Sequence, residues 1–138
     1  MRGQAVVEFA IIFPVFFLIL AGLLDFGFLL YSRITLINAT REGARAAVTQ
    51  VDNAQGIPGL VRSTIMSNVP GLVVSDIGDT ETCVAHQQAS CDFSAGGNPD
   101  PVAGDAVRVS TTYVYHSWFA RLFGATINFG TTIDMVLE

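Results

Sequence analysis

The chain has 138 residues, 51% of them hydrophobic and 14% charged, with a formal net charge of −5. That length allows one small domain beside one further element, and a mean hydropathy of +0.50 is high for a wholly soluble chain. Beyond residue 50 nine acids accompany only three arginines, which argues against nucleic-acid binding, since that needs clustered Lys and Arg.

The first element in chain order is apolar. Phe9 to Leu24 carries no charged or strongly polar side chain. As a helix this run rises about 24 Å, a little short of the roughly 30 Å hydrocarbon core of a bilayer. Extending it at both ends, over residues 4–31, completes the span and leaves Glu8 and Asp25 near opposite interfaces. Lipid cannot hydrogen-bond to a backbone, so a single membrane-embedded segment must be helical. Pro14 removes one backbone donor and predicts a kink. Phe26, Phe28 and Tyr31 suit an outer aromatic belt, with Arg33 among the headgroups just beyond. A cleaved signal peptide needs a shorter apolar run followed by a small-residue cleavage site. Here the run is too long and no such site follows, so a permanent anchor is expected.

The helix is expected to continue over residues 32–52. Leu30, Ile34, Ile37, Arg41, Ala44, Val48 and Val51 recur at steps of four and three, a helical seam. Ala39, Gly43 and Ala47 form a row of small residues that lets another backbone approach closely. Two readings stay open for that row: a contact between subunits, or room for the chain's own sheet. Arg41 and Arg45 are like charges four apart and want acidic partners. Glu42 is one candidate, and Asp25 of a neighbouring chain is the other.

Residues 53–138 read as a globular head. Pro58 opens a short helix to about Ser67, and Pro70-Gly71 is a turn. Leu72 to Ile77 reads as a strand, Gly78-Asp79 as a turn, and Glu81 to His86 as a second strand. Cys83 and Cys91 are the only two cysteines, and in an exported domain they read as a disulfide. Closing so short a loop contributes about 2–3 kcal/mol in the chain-entropy account. Residues 87–104 read as loop. In Val107 to Tyr115, alternate residues Val107, Val109, Thr111, Tyr113 and Tyr115 share a face. In Ile127 to Leu137, Ile127, Phe129, Thr131, Ile133, Met135 and Leu137 do the same. That period of two suits antiparallel strands covered on one side. Between them, His116 to Gly124 brings together Trp118, Phe119, Leu122 and Phe123, either as an exposed contact surface or as aromatics folded under the sheet edge. The expected class is α+β, a long N-terminal hydrophobic helix, transmembrane then amphipathic, packed on a small antiparallel sheet.

No catalytic constellation stands out. His86 and His116 lie far apart with no motif around either, and H-E-x-x-H, P-loop and G-x-S-x-G patterns are missing. Three acids between Ser75 and Glu81 sit at the expected turn, but without the calcium-loop spacing of an EF-hand. The expectation is no enzyme, no metal and no cofactor.

Gly3, followed five residues later by Glu8 and Phe9 at the head of an apolar helix, resembles the processing site of type IV prepilins. GQAVVEFAIIFPVFFLILAGLLDFG, followed by NATREGARAA, resembles the N-terminal region of TadE-like proteins, pseudopilins of tight-adherence (Flp, type IVb) pilus systems. Pro14, Asp25 and the cluster Arg41, Glu42, Gly43, Ala44 and Arg45 stand where that family has them. The alternating last strand ending in Glu138 also fits. The resemblance is dense over residues 3–47. It implies a pilin-like arrangement, and a prepilin peptidase cut between Gly3 and Gln4 that removes residues 1–3 as a short leader. Gln4 then carries a new α-amine, with a reference pKa near 8, as a cationic partner for the Glu8 carboxylate, and Glu8 sets the docking register of the subunit. The implied partners are other minor pilins, the major Flp-type pilin, the peptidase, an inner-membrane assembly platform and the lipid bilayer. The implied role is to prime or cap a pilus for surface attachment. Since only Met1 and Arg2 precede Gly3, three readings stay open: a start further upstream, a very short leader, or no processing. The last makes the chain a static membrane scaffold. A ligand-binding adhesive module using the aromatic excursion is a further alternative.

Overall fold

The computed structural model describes residues 2–49, 57–85, 104–118 and 126–136. Its first element, α1 (Arg2–Thr49), is one helix of 48 residues that passes Pro14 without a break. At 1.5 Å per residue it is about 72 Å long. A second helix, α2 (Ile57–Ser67), begins one residue before Pro58, where a missing amide donor costs nothing. A single 3-10 turn, Val74–Asp76, leads into the sheet.

The sheet has three strands, β1 (Ile77–Ala85), β2 (Ala106–Tyr115) and β3 (Ile127–Val136), in the order β1-β2-β3 and antiparallel throughout. β2 and β3 lie over α1, while β1 meets α2. The α+β layout is therefore the one expected, a long apolar helix with a small antiparallel sheet. On β2 the alternation holds residue by residue, with Val107, Val109, Thr111, Tyr113 and Tyr115 buried. On β3 the face of Phe129, Thr131, Ile133 and Met135 is only half-buried, and Ile127 is exposed. Facing pairs join the strands. The rings of Tyr113 and Phe129, opposite each other in register, lie 5.5 Å apart. On the outer face Arg108 opposes Asp134, with Nε 2.6 Å and Nη2 2.8 Å from the two carboxylate oxygens.

Two local expectations are corrected. Leu72 to Ile77 is not a strand, and Gly78-Asp79 is not a turn. One strand runs from Ile77 to Ala85 with a register shift between Ile77 and Thr80. Gly78 sits inside this irregularity because a Cβ there would overlap the Thr112 hydroxyl of the neighbouring strand. A bulge absorbs what looked like two strands and a turn. The acids expected at a turn are thus spread over the 3-10 turn and β1. Asp76 lies 3.6 Å from His116, and Asp79 lies 4.0 Å from Arg62.

The seam of α1 also needs correction. The buried stripe is Ser32, Leu36, Ala39, Thr40, Gly43, Ala44 and Ala47. Of the expected row Ala44 is buried and Ile37 and Val48 are half-buried, but Leu30, Ile34 and Arg41 are exposed. Val51 lies outside the described residues. Ser32 and Thr40 can face the core because each hydroxyl donates to a helix carbonyl four residues back, Phe28 at 2.9 Å and Leu36 at 2.8 Å. That back-bonding removes the polar group from the account, and small side chains bring α2 and the sheet close.

Candidate functional site

The chemistry this chain offers lies along α1, in three successive zones. The first carries the apolar residues. Every large apolar side chain from Val6 to Leu24 is exposed, and no part of the most apolar window is buried by the rest of the chain. Phe9, Phe13 and Phe17 stack along one side, with ring centroids 5.3 and 6.2 Å apart. A helix apolar on all sides and uncovered by its own domain belongs in lipid or among other apolar helices. Gly3 and Gln4 lie in its first turn, and Glu8 is exposed one turn further on. Pro14 is exposed within the same zone.

The second zone is one residue, Asp25, which fastens the head to the helix. The Tyr115 hydroxyl stands 2.9 Å from Asp25 Oδ1 and 3.1 Å from its carbonyl oxygen. The Ser117 hydroxyl donates to Oδ2. The backbone N–H of Trp118 donates to Oδ1 at 3.1 Å. The end of β2 thus brings three donors to one carboxylate at the point where the uncovered part of α1 ends. Burial in the apolar junction, then the Asp25 carboxylate that accepts its proton, push the Tyr115 phenol up to about 12. Six residues later Tyr31 donates to the Pro70 carbonyl at 2.9 Å, a second tie between helix and head.

Asp25 is therefore engaged within its own chain. Arg41, Arg45 and Glu42 are exposed on the side of α1 turned from the core. Among the described residues no ion pair joins them. No local sequence pattern links Tyr115, Ser117 and Trp118 to Asp25. The signal available was indirect: a lone carboxylate at the exit of an apolar run needs donors, and β2 ends on a tyrosine and is followed by a serine.

The third zone is the row of small residues. Ala39, Gly43 and Ala47 are all buried. A Cβ placed on Gly43 would come within 2.8 Å of Ile65 Cγ1 and 3.3 Å of Val61 Cγ1. At Gly43 the close approach made possible is therefore that of α2, rather than of the sheet or a second subunit. Cys83 is buried in β1, while Cys91 lies outside the described residues, as do His86, Phe119, Leu122 and Phe123. Trp118 is exposed. Among the described residues no group of three or more His, Cys, Asp or Glu is placed to hold a metal ion.

These zones can be compared with known proteins. Residues 3–45 match the family model of TadE-like protein. The TadE-like segment covers the uncovered apolar zone, Asp25, and the helix as far as Arg45. The match spans under a third of the chain, and the helix it covers is long and apolar enough to cross a membrane. No curated protein and no solved structure matches the chain.

Proposed function

We propose that this chain is a minor pilin or pseudopilin of a tight-adherence (Flp, type IVb) pilus, which primes or caps the filament for surface attachment. The observation that carries this reading is the division of α1. Its first half leaves every large apolar side chain uncovered, and its second half is the spine of a folded head. Such a subunit is stored in the inner membrane with its head outside the cytoplasm, then transferred with its apolar half into a filament core. The resemblance supplies the partners: other minor pilins, the major Flp-type pilin, and the assembly platform. Prepilin peptidase cuts between Gly3 and Gln4. Glu8, one helical turn from the new amine, then sets the register in which the subunit docks. In an oxidising compartment Cys83 and Cys91 close a disulfide.

The test is the N-terminus of the chain purified from its native membrane, read by intact mass. A chain beginning at Gln4, lighter by two hydrogen atoms than the reduced sequence, is expected; one still carrying Met1 and Arg2 returns the chain to a static scaffold. Glu8→Ala is expected to leave the head folded and to remove the subunit from filaments. Normal piliation in that variant would defeat the role given to Glu8.

A further inference from the structure

The membrane reading of α1 fixes a height for everything fastened to Asp25. From Gly3 to Leu24 the helix rises about 33 Å, which matches the roughly 30 Å hydrocarbon core. Asp25 then stands at the outer interface. The backbone of Trp118 is held to its carboxylate, so the head cannot ride clear of the bilayer while that bond is made. Trp118 is 78% exposed, and Phe26 and Phe28, which follow Asp25 on the helix, are 59% and 64% exposed. Three large aromatic side chains, one from the head and two from the helix, are thus uncovered at one level. Water is a poor neighbour for such a set. An interface is a good one, because it solvates the indole N–H and buries the ring.

We infer that Trp118 is a membrane-contact residue, which with Phe26 and Phe28 forms an aromatic belt that seats the head on the headgroup layer of the bilayer holding α1. The inference rests on the membrane reading of α1 and adds a second point of attachment to it. Its occupant is the lipid surface: the aromatic patch continues the apolar span without a gap, and Asp25 sets its depth. Held in this way, the head has one resting height and tilt before assembly. Extraction into a filament must remove the belt from lipid together with the helix.

Trp118 is the only tryptophan of the chain, so its fluorescence reports this contact without labelling. The full chain is reconstituted into phosphatidylcholine vesicles at low protein-to-lipid ratio and floated on a density gradient. Emission is then read with acrylamide in the water, and with lipid brominated either near the glycerol or near the end of its acyl chains. The expected result is flotation, acrylamide quenching reduced by about threefold against a free tryptophan amide, and stronger quenching by the shallow bromine, as an interfacial indole requires. In Asp25→Ala, acrylamide access is expected to rise and the depth preference to fade. A chain that does not float removes the membrane reading, and the belt with it. A chain that floats with Trp118 open to acrylamide and silent to both bromolipids overturns the belt alone. Shielding that appears only as the protein-to-lipid ratio rises assigns Trp118 to a second copy of the chain, and overturns the lipid contact equally.

Discussion

Before Asp25, α1 carries large apolar side chains around its whole circumference, and all of them are exposed. After Asp25, the same helix turns one stripe of Ala, Gly, Ser, Thr and a single Leu toward α2 and the sheet, and leaves its larger residues Leu30 and Ile34 outside. The two halves are continuous in backbone and opposite in design. In the first half side-chain volume is directed outward, toward a solvent or partner the chain does not supply. In the second, volume is withheld so that the chain's own elements can come close. Apolar content alone does not distinguish a membrane face from a core face. The size of the residues and their restriction to one side do.

Paired substitutions test that difference most directly. Leu36 is fully buried, whereas Leu18 is uncovered. Leu36→Ala is expected to destabilise the head by about 2–5 kcal/mol, through lost burial and the cavity left behind. Leu18→Ala is expected to leave head stability unchanged. Urea unfolding of both full-length variants in one detergent, followed by near-UV circular dichroism, compares them. Equal losses would mean that the two halves are not separate regimes.

Glycines make a second pair. Gly43→Leu forces a side chain into the space of Ile65 and Val61. The overpacking costs about 1–3 kcal/mol, partly offset by the roughly 1 kcal/mol gain in helix propensity over glycine. At Gly22 a Cβ meets nothing within 4 Å, so Gly22→Leu keeps the gain without the cost. The thermal midpoints of the two variants are expected to move apart, Gly43→Leu downward. A Gly43→Leu head as stable as the parent would show that α2 yields freely, and that the row is not a packing surface.

The junction between the halves has a pH signature. The Tyr115 phenol is pushed up to about 12, first by burial and then by Asp25. A raised value favours the neutral phenol in the folded state. Its contribution to stability is therefore fully present below pH ~10, the ordinary tyrosine value, and is lost as pH rises toward 12. Tyrosinate absorbance is expected to show a late step that disappears in Tyr115→Phe and moves to lower pH in Asp25→Asn. Asp25→Ala, which strands three donors, is expected to cost about 1–3 kcal/mol. An Asp25→Asn titration identical to the parent would show that the carboxylate does not govern Tyr115.

Legibility followed the range of the forces involved. α1, α2, β2 and β3 were readable because a local period or a proline at position 58 declares each of them. β1 was not, because Gly78-Asp79 looks locally like a turn; only Thr112, more than thirty residues away, requires a glycine inside the strand. The row from Leu30 to Val51 misses the true seam, which runs through Ser32 and Thr40 because their hydroxyls are satisfied by the helix itself. Glu8, Gly3 and Gln4 could be singled out because their spacing is a local pattern. The donors to Asp25 could not, since they lie 90 or more residues further along the chain and no periodicity links them to it.

The smallest effect is expected furthest from α1, on the outer face of the sheet. Arg108 and Asp134 form a two-point pair with side chains 34% and 48% exposed. The Arg108 guanidinium, chiefly through its hydrogen bonds, holds the Asp134 carboxyl below the usual carboxylate value, against the opposing effect of burial. A lowered value means that the pair's contribution is present above about pH 4 and is lost as pH falls through the folded-state value. Water and salt screen so exposed a pair, which limits what it adds to stability. Arg108→Gln is therefore expected to raise the Asp134 titration midpoint, read by carboxyl carbon NMR, while barely moving the unfolding midpoint at neutral pH. A large loss of stability in that variant would place part of the head's cohesion on its outer face, and would weaken the contrast that assigns it to the small-residue stripe of α1.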